Sequence, residues 1–279
     1  MNKLMYLWLA VKTVFCTCQP DHRVNDFKKV RSSYKINKIG KLPIVASESS
    51  GLAKSATPGL LLTHNDSGGE AALYEVDLSG KLVSTKTVPN AANFDWEDMT
   101  ADDEGNYYIG DFGNNGSARD GFTIYKFSGS QQHTDKISFK YAAQKSRQSL
   151  SGKPEFDSEA LFYFRKNLYL FSKNWDKNKF VKLYTLPALK GNYTLTATDS
   201  IQINAQVTAA DVSPDGKTFA LLTYGKILLF GITENHIDFK HPLGCFRMVR
   251  KQAEALVFLN NTDMVVTNEQ GSIYRITYK

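Results

Sequence analysis

From Pro43 onward the hydrophobic positions come in short runs rich in Tyr, Phe, Val, Ile and Thr, set between clusters of Gly, Asn and Asp. No stretch keeps the spacing of an amphipathic helix, so the pattern predicts an all-β chain of many short strands. Five segments share one layout: SGLAKSATPGLLLTHND, EDMTADDEGNYYIGDFG, EALFYFRKNLYLFSKNW, AADVSPDGKTFALLTYG and EALVFLNNTDMVVTNEQ. Each reads as a strand, a turn and a returning strand.

The spacing inside these units is constant. Ser50 precedes Thr63 by 13 residues, and the same offset separates Glu97 from Gly110, Glu159 from Ser172, Ala210 from Thr223 and Glu254 from Thr267. A third strand follows each pair (ALYEVDL, FTIYKFS, VKLYTLP, KILLFGI, SIYRITYK), and a fourth follows most of them (LVSTKTV, KISFKYA, LTATDSIQI, HIDFKH). Four antiparallel strands per unit predict the blades of a β-propeller. The last unit ends after three strands, and YKINKIGKL at 34–42 is free to supply its outer strand and close the ring. The expectation is one five-bladed β-propeller over residues 34–279. A six-bladed ring is the alternative, but it needs a further unit within residues 19–47, where one or two strands fit.

Charge and cysteines refine this picture at the N-terminus. The net charge is +6, but nine of the 34 basic residues and only two of the 28 acidic ones fall within residues 1–41. The body is therefore close to neutral, and a nucleic-acid surface is not expected. Residues 1–18 read as an export signal ending at Cys18, with a lipoprotein-type acyl anchor or simple secretion as the two outcomes. Residues 19–33 read as a solvated basic tether. With Cys18 acylated or removed, Cys245 would be the only cysteine of the body and no internal disulfide would form. The expected location is outside the cytoplasm: periplasmic, on the cell surface or secreted. Membrane contact is expected only through that anchor, and the protein is expected to be a monomer.

In a propeller the first strand of each blade lines the axis, so its start and the end of the second strand meet at one mouth. The starts are Ser50, Glu97, Glu159, Ala210 with Asp211 beside it, and Glu254. The ends include His64, Asn65, Asp66, Asp111, Asn114, Lys173, Asn268 and Glu269, which are expected to bind ligand. Three glutamates converging on a narrow channel need a counter-charge, and oxygen-only donors suit Ca²⁺ better than zinc or copper. Ala210 has no side-chain donor, so the fourth blade would contribute its carbonyl, Thr208 or Asp211. The alternative is that these acids cap strand ends by accepting from the next blade's amides. His64 is read as a structural histidine in preference to a general base.

The starts S-G-L (50–52), W-E-D (96–98), S-E-A-L (158–161) and A-E-A-L (253–256) resemble the calcium-activated nucleotidases, soluble apyrases built as five-bladed propellers. The resemblance implies an axial Ca²⁺ held by Ser50, Glu97, Glu159 and Glu254, with Ala210 standing where that family has another serine. THNDSG, DWEDM and GDFGNN are similar to a group of uncharacterised secreted or lipid-anchored bacterial propellers, and esterase-like phytases, gluconolactonases and paraoxonases share the architecture more distantly.

Two functions follow as expectations. The first is a surface module binding a small molecule, glycan or peptide at the mouth. The second is a calcium-dependent hydrolase of phosphoanhydrides or esters. A nucleotide substrate would call for several cationic clamps, and only Lys173 is placed at the mouth, with Arg119, Lys226 and Arg247 offered from loops. Binding is therefore put ahead of hydrolysis.

Overall fold

The computed structural model describes residues 17–144, 155–175, 180–248 and 252–279. The strands, in chain order, are β1 (Lys28–Lys29), β2 (Tyr34–Lys41), β3 (Ser49–Lys54), β4 (Leu60–Asn65), β5 (Ala72–Asp77), β6 (Leu82–Thr87), β7 (Trp96–Ala101), β8 (Asn106–Asp111), β9 (Phe122–Ser128) and β10 (His133–Tyr141). They continue with β11 (Ser158–Phe164), β12 (Asn167–Ser172), β13 (Phe180–Pro187), β14 (Gly191–Leu195), β15 (Asp199–Gln202), β16 (Val207–Val212), β17 (Thr218–Thr223), β18 (Lys226–Gly231), β19 (Pro242–Arg247), β20 (Ala253–Phe258), β21 (Met264–Asn268) and β22 (Ser272–Tyr278).

These strands form five sheets, the blades of a five-bladed β-propeller. The inner strands β3, β7, β11, β16 and β20 each lie against the inner strands on either side. β2 pairs antiparallel with β22, from Tyr34 opposite Tyr278 to Lys41 opposite Ser272, and so closes the ring as the sequence predicts. One outer strand departs from the prediction and one is added: blade four is completed by Pro242–Arg247, not by HIDFKH, while β15 completes blade three within LTATDSIQI and the extra strand β14 pairs in parallel with β10 of blade two.

The core is divided among the five blade interfaces. Strand β12 shows how alternation does this: Leu168 and Leu170 join the cluster shared with blade two, while Tyr169 and Phe171 join the one shared with blade four. Successive side chains on a strand point to opposite faces, so a strand between two neighbours is apolar on both. The blade three–four interface is aromatic, with Phe219 and Phe230 stacked at 4.6 Å and Phe162 at 5.7 Å from Phe219.

The N-terminal region corrects two expectations; residues 1–16 of the export segment lie outside the described residues. The expected tether is folded: helix α1 (Gln19–Asn25) and β1 dock on blade four, with β1 parallel to β19. Phe27 is fully buried against Phe230, and Asp21 pairs with a fully buried Lys226. Apolar burial of Phe27 together with a buried counter-ion for Lys226 outweighs the hydration of the basic residues around them. Cys18 is disulfide-bonded to Cys245 across 227 residues of sequence, so the body does contain an internal disulfide. Among the described residues, no helix is long and apolar enough to cross a membrane.

Candidate metal centre in the acidic mouth

In all five blades the ladder between first and second strand is interrupted at the same place. The pairing skips Ser50 in blade one, Glu97 and Asp98 in blade two, Glu159 in blade three, Thr208 in blade four and Glu254 in blade five. Such an irregularity re-aims the extra side chain, and here it recurs at the mouth around the axis. Ser50, Glu97, Glu159 and Glu254 thus stand where the sequence places them, all buried. Blade four is corrected: its equivalent residue is Thr208, whose Oγ1 donates to the Ala253 carbonyl at 2.9 Å. Ala210 and Asp211 lie further along β16, because Val207 pairs with Thr223 while Ser158 pairs with Ser172, so equal sequence offsets do not mark equal positions.

A second ring follows the second strands. One backbone hydrogen bond repeats in every blade, from Asp66 N to Glu48 O, Gly113 N to Asp95 O, Lys173 N to Asp157 O, Tyr224 N to Gln206 O and Glu269 N to Gln252 O. The donors define equivalent positions, so blade two contributes Gly113 where Asp111 and Asn114 were expected. A Cβ on Gly113 would collide with Glu97 Oε1 and Asp95 Oδ2. The acceptors define a third ring, two residues before the first; Glu48 of this ring is exposed, and its other two acids, Asp95 and Asp157, were missed. Their signal was D-x-E at 95–97 and 157–159, where a two-residue step returns to the same side of the chain.

Asp66, Asp95 and Glu97 bring one carboxylate oxygen each within 4.8 Å of the others. Lys173 Nζ donates to Glu159 Oε1 at 2.6 Å and lies 5.0 Å from the centre of the Trp175 ring. Tyr224 OH and Gln252 Nε2 donate to Glu254 Oε1 at 2.6 and 2.8 Å, and Gln252 also donates to Glu269. Asp157 accepts from Asn114 N at 2.7 Å and Trp175 Nε1 at 2.6 Å.

Seven carboxyl groups (Asp66, Asp95, Glu97, Asp157, Glu159, Glu254 and Glu269) act on one another or on Lys173 electrostatically, and Lys173 supplies the ammonium among the described residues. Their protonation follows. Burial, then the charge of Glu254, pushes Asp66 up to about 7; burial pushes Glu159 up to about 8 against the pull of Lys173; burial and Glu254 push Glu269 up to about 9. Glu97 is raised well above the carboxylate range by burial and by Glu159. The acids around Lys173 hold its ammonium well above its ordinary value despite burial.

The other predicted ligand residues have structural partners. His64 is fully buried, bonds Asn65 O at 2.9 Å through Nδ1 and packs edge-on against Trp96; burial lowers it to about 4, so it is neutral at pH 7. Asp111 pairs with Arg119 at 2.9 Å. Asn114 is spent on Arg119 N, Phe156 O and Asp157, and Asn268 on the turn to Ser272. Asn65 borders the cluster: its carbonyl accepts from Asn93 Nδ2 at 3.2 Å, and its Oδ1 is a buried acceptor with no donor.

The acids that cap other blades' amides are Asp98, beside Glu97, and Asp211. Asp98 Oδ2 accepts from Leu161 N and Ala210 N at 2.9 Å, and its Oδ1 from Met99 N at 2.8 Å. Asp211 Oδ2 accepts from Phe258 N at 2.7 Å.

The donor set fits a hard cation: Asp66, Asp95 and Glu97 offer oxygen alone, and Gln252 Oε1 beside Glu254 is a further buried acceptor lacking a donor among the described residues.

The architecture has relatives among solved structures. A gluconolactonase from Xanthomonas campestris aligns over 88% of this chain and 90% of its own, at 11% identity and a TM-score of 0.50. A catalytically inactive virginiamycin B lyase from Staphylococcus aureus, solved with quinupristin, aligns over 85% of this chain and 69% of its own, at 14% identity and a TM-score of 0.43. The chain spans 56% of the hydrazine synthase of Kuenenia stuttgartiensis that it matches at 11% identity, with 81% of this chain covered and a TM-score of 0.43. At these identities the likeness concerns the fold alone. No protein-family model matches the sequence. No curated protein matches it either.

Proposed function

We propose that this propeller holds a calcium ion in its acidic mouth and acts, outside the cytoplasm, as a module that binds a small molecule, glycan or peptide there. The observation that carries the reading is the approach of Asp66, Asp95 and Glu97 within 4.8 Å in a mouth where, among the described residues, acids outnumber the ammonium of Lys173. Those three carboxylates would form the core of the ion site, with Ser50, Glu159, Glu254 and the Gln252 carbonyl oxygen around it. A bound divalent cation would supply the missing positive charge and, by binding only the folded chain, would stabilise it. The Cys18–Cys245 disulfide supports an oxidising compartment, since such bonds persist mainly outside the cytoplasm.

Calcium titration calorimetry, elemental analysis and thermal melting with and without EDTA test this. We expect stoichiometric calcium, a lower Tm in EDTA and at least a tenfold weaker affinity in Glu97→Gln. Absence of metal together with an unchanged melt would overturn it.

A second reading, a calcium-dependent hydrolase, rests on Glu159. A carboxyl held at about 8 beside Lys173 has the proton affinity of a general acid or base near neutral pH. Three of the cations considered for a nucleotide clamp are engaged: Lys173 by Glu159, Arg119 by Asp111 and Lys226 by Asp21. Calcium-dependent turnover of a phosphate ester or lactone, lost in a folded Glu159→Gln protein, would select the enzyme; a calcium-loaded protein inert across nucleotides, phosphate esters and lactones would select the binding module.

A further inference from the structure

At the far end of the axis the inner strands open into a second cavity, of about 730 Å³. Leu52, Thr100, Tyr163, Asp211 and Val257 bring all five blades into its wall, so it is the other mouth of the ring. Asp98, fully buried and bonded to the amides of Leu161 and Ala210, lies between the acidic mouth and this one. The volume is that of an ordinary small-molecule cleft.

The wall selects by charge. Asp102, Asp103, Glu104, Asp211 and Asp215 face the cavity against two cations, Lys54 and Arg165. Asp102 and Asp215 are consumed by their own turns, accepting from Asn106 and Tyr108 and from Ser213 and Lys217. Asp211 differs: its hydrogen-bond partners are the amides of Phe258 and Val212, and Lys54 of the same wall draws on its charge without forming an ion pair with it among the described residues. Burial holds it at about 7. Aromatic surface lines the same cavity, from Tyr107 and from Tyr163, which stacks on Tyr108 at 5.6 Å. A wall with five acids against two cations, and with tyrosine rings in it, favours a guest that brings an ammonium on a short apolar stem.

We propose that this second mouth is a binding site for a small organic cation of the primary-amine class, with Asp211 receiving the ammonium and the rings of Tyr107 and Tyr163 flanking its hydrocarbon. The site is separate from the acidic mouth and does not depend on calcium there.

The test is titration calorimetry of the full chain with spermidine, in saturating calcium so that the acidic mouth is occupied, with glucose as a neutral probe of comparable polarity. We expect one spermidine per chain, affinity at least tenfold weaker in Asp211→Asn, and no change in Glu97→Gln. Asparagine retains an acceptor for the Phe258 amide, and an unchanged melt verifies the fold. Tyr163→Leu gives an independent reading, with an expected loss of threefold or more. No spermidine binding, binding lost in Glu97→Gln but kept in Asp211→Asn, or equal binding of glucose would each overturn the proposal.

Discussion

The ammonium of Lys173 sits 2.6 Å from Oε1 of Glu159, and both side chains are withdrawn from solvent at 6% and 5% exposure. They come from the end of one strand and the start of its neighbour in the same blade, so the pair is set by a single hairpin. Replacing Lys173 by Met removes the ammonium that, among the described residues, stands in the acidic mouth. Breaking one partner of a buried pair costs about 3–5 kcal/mol where the remaining charge stays, and less where the carboxyl takes up a proton. We expect a lower Tm for Lys173→Met without calcium and recovery of part of the loss when calcium is added. Melting curves of both proteins across calcium concentrations provide the check.

Gly113 stands where a side chain would meet Glu97 and Asp95. The obstructing atoms are the ends of flexible side chains, so the backbone need not move in Gly113→Ala. The expected result is a Tm within a few degrees of wild type and a calcium affinity at least tenfold weaker. An affinity equal to that of the parent would show that the Glu97–Asp95 approach is not used for the ion.

The raised carboxyls set a pH dependence for the calcium-free protein. Asp66, Glu159 and Glu269 are at about 7, 8 and 9 when folded and ionise near 4 to 4.5 when unfolded. The folded state then binds more protons, so stability is full below the unfolded values and falls as pH rises through the folded ones, by about 1.4 kcal/mol per unit for each group inside its window. His64 works the other way: lowered from 6.5 to about 4, it favours the folded state above 6.5 and loses that contribution as pH falls toward 4. Three acids outweigh one histidine, and we expect ΔG from denaturant titrations to fall between pH 5 and 9. Saturating calcium, which takes the ionised carboxylates, should flatten the slope.

The N-terminal clasp predicts a redox effect on stability. Cys18–Cys245 joins positions 227 residues apart and is backed by Phe27 and by the Asp21–Lys226 pair. Reduction or Cys18→Ser should cost about 2–5 kcal/mol in denaturant titration. Limited proteolysis should then cut first between residues 19 and 33, since local opening begins where a segment loses its tie.

Five blades, ring closure by residues 34–41 and the placing of Ser50, Glu97, Glu159 and Glu254 at one mouth were legible in the chain. Alternation, turn residues and repetition are local properties, and five copies of one local pattern reinforce one another. Blade four was misread because its hairpin differs in length, so a constant offset pointed to Ala210 where the interrupted pairing selects Thr208. Asp111 was misread because one extra residue, Phe112, separates it from Gly113, which occupies the ring position.

The sequence by itself determined the kind of fold and the acidic character of one mouth, because strand periodicity and the repeated glutamates need no distant partner to be visible. Only the tertiary structure decided which acids act alone and which are consumed. Asp98 adjoins Glu97 in sequence, yet it is taken up by amides 63 and 112 residues away, while Glu97 meets Asp66 and Asp95. It also decided that Cys18 finds Cys245 and that Asp211 belongs to the opposite mouth. Those outcomes depend on closing a ring, which brings together residues that no local pattern relates.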